Sequence, residues 1–439
     1  MKKHPLSTDA EHEVLWHVSQ KRYAPPKDAA AVSAGTGTPP PWLDTYANKT
    51  VAFRFMGQEM VFHLSHALFS SFDIDEGTRL LLKSLAQRID LGKVRSVLDV
   101  GCGVGVIGIS IQRAAPGARV VMQDRDALAA AFARENSRAN GAAGATVDCA
   151  LAFWHMAGTS WDLVTSNIPA KAGKPVLTSF FRDAAAILAP GGTAAIVIVA
   201  TLGDFALSTV RALGCDIVHC EKTKNYLVLH FRAGARSEEK DAPQESLLPY
   251  VRARQTFGHG SVAWDLETAW SLPDFDTLGF SLLASLDLIA KVQIQGELLV
   301  WNPGQGHLPA YLLKAPGSAV ASVRLAGRDC LELAITERNL TALGRKPAKV
   351  WPVPTEAGLA DLLPEGSIDF LYAAIRPIPR VPLHREMAEE AARILKPGGS
   401  LVLASTSTEV HRIVSQLVRF RLLGSRKYMG FRAVFLGRL

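Results

Sequence analysis

The sequence predicts an α/β protein built from two tandem Rossmann-like units, each a mostly parallel sheet with helices on both faces and a late edge hairpin. Three observations carry this expectation. At 439 residues the chain exceeds what one hydrophobic core usually organises, so two domains of about 200 residues each are expected. Short, continuously apolar segments alternate with amphipathic ones, the pattern of parallel strands buried between two layers of helices. The chain also repeats itself. Asp73, Asp75, Leu81, Ser84 and Leu85 recur as Asp274, Asp276, Leu282, Ser285 and Leu286, each 201 positions later, and Gly103 and Gly105 recur as Gly304 and Gly306. Farther on the offset becomes 207: Trp161-Asp162-Leu163 matches Ile368-Asp369-Phe370, and Leu188-Ala-Pro190-Gly-Gly matches Leu395-Lys-Pro397-Gly-Gly. Near the ends, Lys224-Asn225-Tyr226 matches Arg426-Lys427-Tyr428. The preserved order of matches argues for a duplicated domain.

Boundaries follow from composition. Residues 1–50, with Pro25, Pro26, Pro39–Pro41 and no sustained period, read as an extended arm. Residues 233–248, containing AGARSEEKDAPQES, read as a linker between units 51–232 and 249–439. In the first unit the apolar periods predict a helix over 78–89, a buried strand over 96–100, a helix over 105–115, a strand over 119–123 and a helix over 126–140. A short strand at 163–166, a helix over 176–188 stopped by Pro190-Gly191-Gly192, and a buried strand over 193–200 follow. Segments 215–219 and 226–231, joined by a short connection, predict the edge hairpin.

A hydrophobic fraction of 48% with 20% charged residues excludes a mainly disordered chain. The longest strongly apolar stretch, Ala194–Leu202, is far below the roughly 20 residues of a membrane span, and the polar start carries no signal region, so a soluble cytoplasmic protein is expected. Five cysteines without CxxC spacing indicate neither a disulfide framework nor a zinc site, and no metal is expected. The net charge of +7 favours an anionic partner.

The chemistry concentrates in Val97-Leu-Asp-Val-Gly-Cys-Gly-Val-Gly105, an apolar strand running into alternating glycines at a helix start. Gly101, Gly103 and Gly105 let a ligand approach bare backbone, and the helix start favours an anionic group such as a carboxylate. Val106 breaks the dinucleotide pattern GxGxxG, and Asp99, two places before the first glycine, would repel a pyrophosphate. That acid suits a cationic amino group, as in the methionyl part of S-adenosylmethionine. Asp124, 19 residues after Gly105 at the end of the next strand, is placed to accept both hydrogen bonds of a ribose diol.

On these motifs the first unit, from Phe62 to Arg232, resembles the "methyltransferase small" family of class I S-adenosylmethionine-dependent methyltransferases, especially the two-domain rRNA guanine-N2 enzymes. FDIDEGTRLLLKSL resembles the entry helix, with Asp75 and Gly77 matching an Asp-x-Gly beside the cofactor; VLDVGCGVGVIG resembles the glycine loop, WDLVTSNIPA the catalytic loop and KNYLVLHFRA the terminal strand. The resemblance implies S-adenosylmethionine as cofactor, Asp75, Asp99, Gly101, Gly103, Gly105 and Asp124 around it, Asn167 orienting an exocyclic base amine, and Pro169 stiffening the loop. Two departures stand out: Ile168 replaces a proline, and Ala170 removes the ring that stacks on an extruded base in the family, a role that Phe153 or Trp154 would have to fill. The expected acceptor is an RNA base amine, with a protein side chain or a metabolite as alternative, or a non-enzymatic RNA-binding role.

In the second unit Asp99, Gly101 and Cys102 become Val300, Asn302 and Pro303, Asp124 becomes Gly327 or Arg324, and Asn167 becomes Ala374, so that copy reads as catalytically dead. From Val410 to Leu439 there is no acid, while Arg412, Arg419, Arg421, Arg426, Lys427, Arg432 and Arg438 interleave with Phe420, Tyr428, Phe431 and Phe435. That composition predicts an RNA contact running from Arg412 to Arg438.

Overall fold

The structure is a computed structural model that describes residues 40–69, 72–169, 171–234, 245–290 and 292–439. Ala170, most of the expected arm and the middle of the expected linker lie outside the described residues. A six-residue helix α1 (Pro41–Tyr46) and a hairpin, β1 (Lys49–Phe55) and β2 (Gln58–Leu64), precede the first unit proper. Then follow α2 (Glu76–Arg88), β3 (Ser96–Val100), α3 (Val106–Ala114), β4 (Arg119–Asp124), α4 (Ala127–Ala139), β5 (Ala145–Cys149), β6 (Trp161–Asn167), α5 (Lys174–Ala186), β7 (Leu188–Val199), α6 (Gly203–Ala212), β8 (Asp216–Lys222) and β9 (Tyr226–Arg232). The sheet order is β5-β4-β3-β6-β7-β9-β8, all strands running in one direction except β9, which is antiparallel to β7 and β8.

The second unit repeats this scheme. It comprises a hairpin β10 (Val251–His259) and β11 (Val262–Ala269), then α7 (Phe280–Ile289), β12 (Gln295–Trp301), α8 (His307–Lys314), β13 (Ala319–Gly327), α9 (Cys330–Ala342), β14 (Lys349–Pro352), β15 (Ile368–Ala374), α10 (Leu383–Ile394), β16 (Leu395–Thr406), α11 (Ser407–Gln416), β17 (Phe420–Tyr428) and β18 (Phe431–Arg438). Its order, β14-β13-β12-β15-β16-β18-β17, is that of the first sheet strand for strand. The tandem Rossmann-like architecture expected from the repeats is therefore the fold.

Local chemistry explains the boundaries. Asp75 caps α2 by accepting from the Gly77 and Thr78 amides, and Asp126 and Asp329 cap α4 and α9 in the same way. The central strands β3 and β6 are buried along nearly their whole length, as strands covered by helices on both faces are.

Three sequence expectations need correction. Residues 41–46 are helical rather than extended: Pro41 starts the turn, and Tyr46 is buried with its hydroxyl between Glu356 Oε2 (3.1 Å) and Glu386 Oε2 (3.2 Å) of the second unit, donating to one of the two at a time. The hairpins β1–β2 and β10–β11, whose burial alternates along each strand, add strands beyond those the sequence pattern predicts. The match of Tyr226 with Tyr428 also fails in space. β7 pairs Val199 with Tyr226 and β16 pairs the equivalent Thr406 with Phe431, so Phe431 stands in the place of Tyr226. Tyr226 follows its turn at the start of β9, whereas Tyr428 precedes its turn at the end of β17.

The two units meet across a local pseudo-two-fold axis at the starts of α4 and α9. The Ala127 amide donates to the Arg328 carbonyl (2.8 Å) and the Cys330 amide to the Arg125 carbonyl (2.9 Å). Arg328 pairs with Asp126 (2.6 Å) and Arg125 with Asp329 (3.3 Å). Leu151, Ala269, Leu272, Leu331 and Ile335 close the interface with a small apolar cluster. This symmetry fixes the residue equivalence: Asp126 corresponds to Asp329, so Asp124 corresponds to Gly327 and not Arg324.

Candidate active site

The segments singled out in the sequence converge where the strand order reverses. β3 ends at Val100 and enters the glycine loop; β6, paired to its other edge, ends at Asn167. In an open parallel sheet this switch point is where a crevice opens, because the crossovers on either side diverge.

The Gly101 and Cys102 amides donate to the Gln123 carbonyl (2.7 and 3.0 Å), bending the loop over the end of β4. Gly101 (φ 71°) and Gly103 (φ 56°) are left-handed, and a Cβ added at either would meet no protein atom within 4 Å. Their bare backbone therefore faces open space. Gly105 (φ 91°) differs: a Cβ there would lie 2.8 Å from Ile109 Cδ1, so it is glycine for helix packing.

Asp124 ties the loop down, accepting from the Gly103 amide (2.8 Å) and the Asp126 amide (2.9 Å). Burial pushes its pKa up to about 6 against the opposing pull of those amides. Asp99 lies beneath the loop, not at its surface. Strand alternation turns it toward α3, where its side chain is fully buried and accepts from the Gly108 amide (2.9 Å) and the Thr165 hydroxyl (3.0 Å). Burial pushes its pKa up to about 7. The structure thus makes Asp99 the anchor of the loop and of the start of α3, with no oxygen at the crevice surface.

Asn167 is held by partners the sequence reading missed. Its amide nitrogen donates to Asp75 Oδ2 (2.9 Å) and Thr78 Oγ1 (3.1 Å), which consumes both N–H groups and leaves Oδ1 as an acceptor. Asp75 in turn accepts from the Tyr226 hydroxyl (3.2 Å), and burial followed by the Asp75 charge raises the Tyr226 pKa. The expected Asp75 is therefore at the site, but bonded to Asn167 and its own helix. Tyr226 was visible only as part of a repeat; that it caps the acceptor network depends on β9 lying antiparallel beside β7. The Ile168 amide donates to the Val197 carbonyl (2.9 Å), fixing the chain that carries Pro169. Phe153 is buried against Phe180, and Trp154 packs into the interface cluster, so neither ring is open to a base. Phe69 and Phe72, before Asp75, are the exposed rings in this part of the chain.

The second unit has filled its own crevice. Asn302, in the Gly101 position at φ 53°, turns its side chain across the switch point to the Ala374 carbonyl (3.0 Å). Arg376, at the Pro169 position, pairs with the buried Glu332, which also accepts from the Gly304 amide (3.3 Å). Among the described residues no cluster of His, Cys, Asp or Glu is arranged to hold a metal, and no helix is long and apolar enough to cross a membrane.

The sequence profile of the methyltransferase small domain matches residues 59–230, spanning the glycine loop, Asp124 and Asn167. Residues 59–230 thus carry the pattern of a methyltransferase small domain. The chain is 27% identical over 183 residues to the uncharacterised protein YbxB of Bacillus subtilis, a match covering 41% of this chain and 90% of that one. It is 33% identical over 148 residues to ribosomal RNA small subunit methyltransferase C of Chromohalobacter salexigens, covering 33% and 43%. The corresponding enzyme of Haemophilus influenzae is 40% identical over 102 residues, covering 23% and 29%. The chain thus spans less than half the length of the rRNA methyltransferases it matches by sequence. In three dimensions it is similar to the T. thermophilus 16S rRNA N2 G1207 methyltransferase, solved in complex with AdoMet and guanosine. The TM-score is 0.62 at 17% identity over 90% of this chain and all of that one, a likeness of fold that includes both units. The crevice fits S-adenosylmethionine: Gly101 and Gly103 offer a cradle that any Cβ would fill, and Asp124 ends β4 at its rim.

Proposed function

We propose that this methyltransferase modifies an exocyclic base amine of RNA, with guanine N2 of ribosomal RNA as the acceptor, working in the cytoplasm. The observation that carries the reading is the fixed amide of Asn167, whose Oδ1 is the one polar atom of that side chain left for a substrate. An exocyclic amine is a poor nucleophile because its lone pair is delocalised. Oδ1 accepts a hydrogen bond from the amine N–H, sets the nitrogen's approach, and strengthens that bond as positive charge develops on it. Bound in the crevice, S-adenosylmethionine supplies a methyl group on a sulfonium leaving group, which needs no metal. Gly101 and Gly103 leave room for it, Asp124 accepts its ribose hydroxyls, and Asp99 and Gly105 hold the loop in shape. Phe72, 68% exposed and edge-on to His66, supplies the ring for the extruded base that position 170 lacks. The C-terminal unit, its crevice closed by Arg376 and Glu332, serves to bind RNA through Arg412–Arg438. The names of the rRNA methyltransferase relatives support this acceptor.

The test is incubation of the full chain with methyl-labelled S-adenosylmethionine and ribosomal RNA from cells lacking it. Label at a guanine N2 that disappears with Asn167→Ala is expected. Label confined to protein or small molecules, or no label with the cofactor bound, overturns the reading.

A further inference from the structure

The C-terminal unit carries exposed aromatic rings at the place that corresponds to the acceptor mouth of the first unit. Phe431 occupies the position of Tyr226, yet it has no carboxylate to clamp. Its ring instead stacks on Phe280, the first residue of α7, with centroids 6.5 Å apart and planes 29° from parallel. Phe280 is 45% exposed, Phe431 37%, Tyr428 39% and Met429, in the turn, 77%. β17 and β18 pair Tyr428 with Phe431 and Arg426 with Ala433, so Arg426, Tyr428 and Phe431 share the face that packs on α7. The Tyr428 hydroxyl donates to Asp287 of α7 (2.6 Å), holding that ring in place, and Asp287 is matched by His259 (3.0 Å).

Burying a ring of this size contributes roughly 1.5–3 kcal/mol, so a corner that leaves three rings and a methionine open is an uncommon expense of apolar surface. A cation shares this face, Arg426 two positions before Tyr428, while Lys427 and Arg432 project from the opposite face of the hairpin, and no acid occurs from Val410 to Leu439. We propose that the corner formed by Phe280, Tyr428, Met429 and Phe431 is a stacking platform for unpaired bases of single-stranded RNA, with Arg426, on the same face, on the phosphates. A duplex hides its base faces, whereas an unpaired strand presents them to rings and its phosphates to cations. This inference rests on the RNA reading above.

The experiment measures binding of the full chain to a fluorescein-labelled mixed-sequence oligoribonucleotide by anisotropy, alone and annealed to its complement. Phe431→Leu and Phe280→Leu keep apolar packing and remove the ring. Each is expected to weaken single-strand binding at least about fivefold while leaving duplex binding and labelled-cofactor binding unchanged. Phe431→Trp, which restores a ring, is expected to recover the affinity. Unchanged single-strand affinity in both leucine variants, or an equal loss for single strand and duplex, overturns the platform. The two readings fail separately: ribosomal RNA methylated normally by both leucine variants with unchanged strand affinity sinks only this inference. Ring-dependent strand binding with no methyl transfer sinks only the proposed activity.

Discussion

Replacing Asp75 by alanine separates positioning from cofactor binding. In the structure its carboxylate accepts from the Gly77 and Thr78 amides, from Asn167 Nδ2 and from the Tyr226 hydroxyl. Loss of the helix cap costs about 1 kcal/mol of stability. The bond to Asn167 is charge-assisted but part-exposed, so it contributes about 1 kcal/mol more after solvent screening. A total of about 2 kcal/mol lowers Tm by roughly 4–8 °C for a domain of this size. The effect on turnover is larger than on folding at the assay temperature. With Thr78 Oγ1 as its one remaining partner, the Asn167 amide turns about its last torsion, and the acceptor oxygen no longer has a fixed place. Losing one charge-assisted positioning bond in the transition state corresponds to roughly a 10- to 100-fold fall in kcat. Cofactor affinity should stay within about twofold, because the loop is held by Gln123, Asp99 and Asp124, not by α2. Asp75→Asn, which keeps one oxygen on the cap and on Asn167, should recover most of both losses. Single-turnover methyl transfer, thermal melting and a cofactor titration on the same preparations read the three quantities. A folded Asp75→Ala protein with wild-type kcat, or one whose defect is entirely in cofactor affinity, would refute the positioning role. The latter outcome would restore the direct cofactor contact that the Asp-x-Gly pattern implies.

Three further expectations follow from particular contacts. Asp124 has its pKa raised to about 6, and the ribose needs the ionised form as acceptor; cofactor affinity should therefore be flat above about pH 7 and fall toward tenfold per unit below about pH 6. Asp124→Asn should bind weakly at every pH, and an unchanged pH profile in that variant would exclude Asp124 as the titrating group. Cys149 Sγ and Cys330 Sγ lie 3.3 Å apart across the interface, so treatment with a thiol oxidant such as diamide should yield an intramolecular disulfide, seen as faster migration without reductant and absent in Cys330→Ser. Failure to cross-link in the native protein would show that the units do not pack as described. Arg328→Ala breaks a part-buried pair with Asp126 and leaves that cap uncompensated at the interface, so a loss of about 1–2 kcal/mol in thermal unfolding is expected, and much less when Asp126→Asn is added.

Much of the fold was legible because its signals are local. Continuous apolar strands, helix caps such as Asp126, and a two-fold repetition of the same pattern need no knowledge of distant contacts, and the structure places the corresponding elements within a few residues of where the periods put them. The hairpins β1–β2 and β10–β11 escaped because their pairing is a property of two segments together. The alignment of Tyr226 with Tyr428 failed for a related reason. Similar tripeptides before and after a turn look equivalent in one dimension, and only the strand register reveals that they face different ends of the hairpin.

The sequence by itself determined the architecture, the duplication and the glycine crevice, since each is written in the order and spacing of residues along one strand-loop-helix unit. The tertiary structure decided what the acids do. Asp99 and Asp75 stand where a motif expects cofactor ligands, but whether a carboxylate faces a crevice, a helix amide or a neighbouring asparagine depends on which way its strand or cap turns it. It also decided the fate of the second crevice, because Arg376 and Glu332 lie 44 positions apart and meet only when β15 and α9 bring them to the same opening. A pairing of that kind is set by the packing of elements distant in the chain, which no local pattern records.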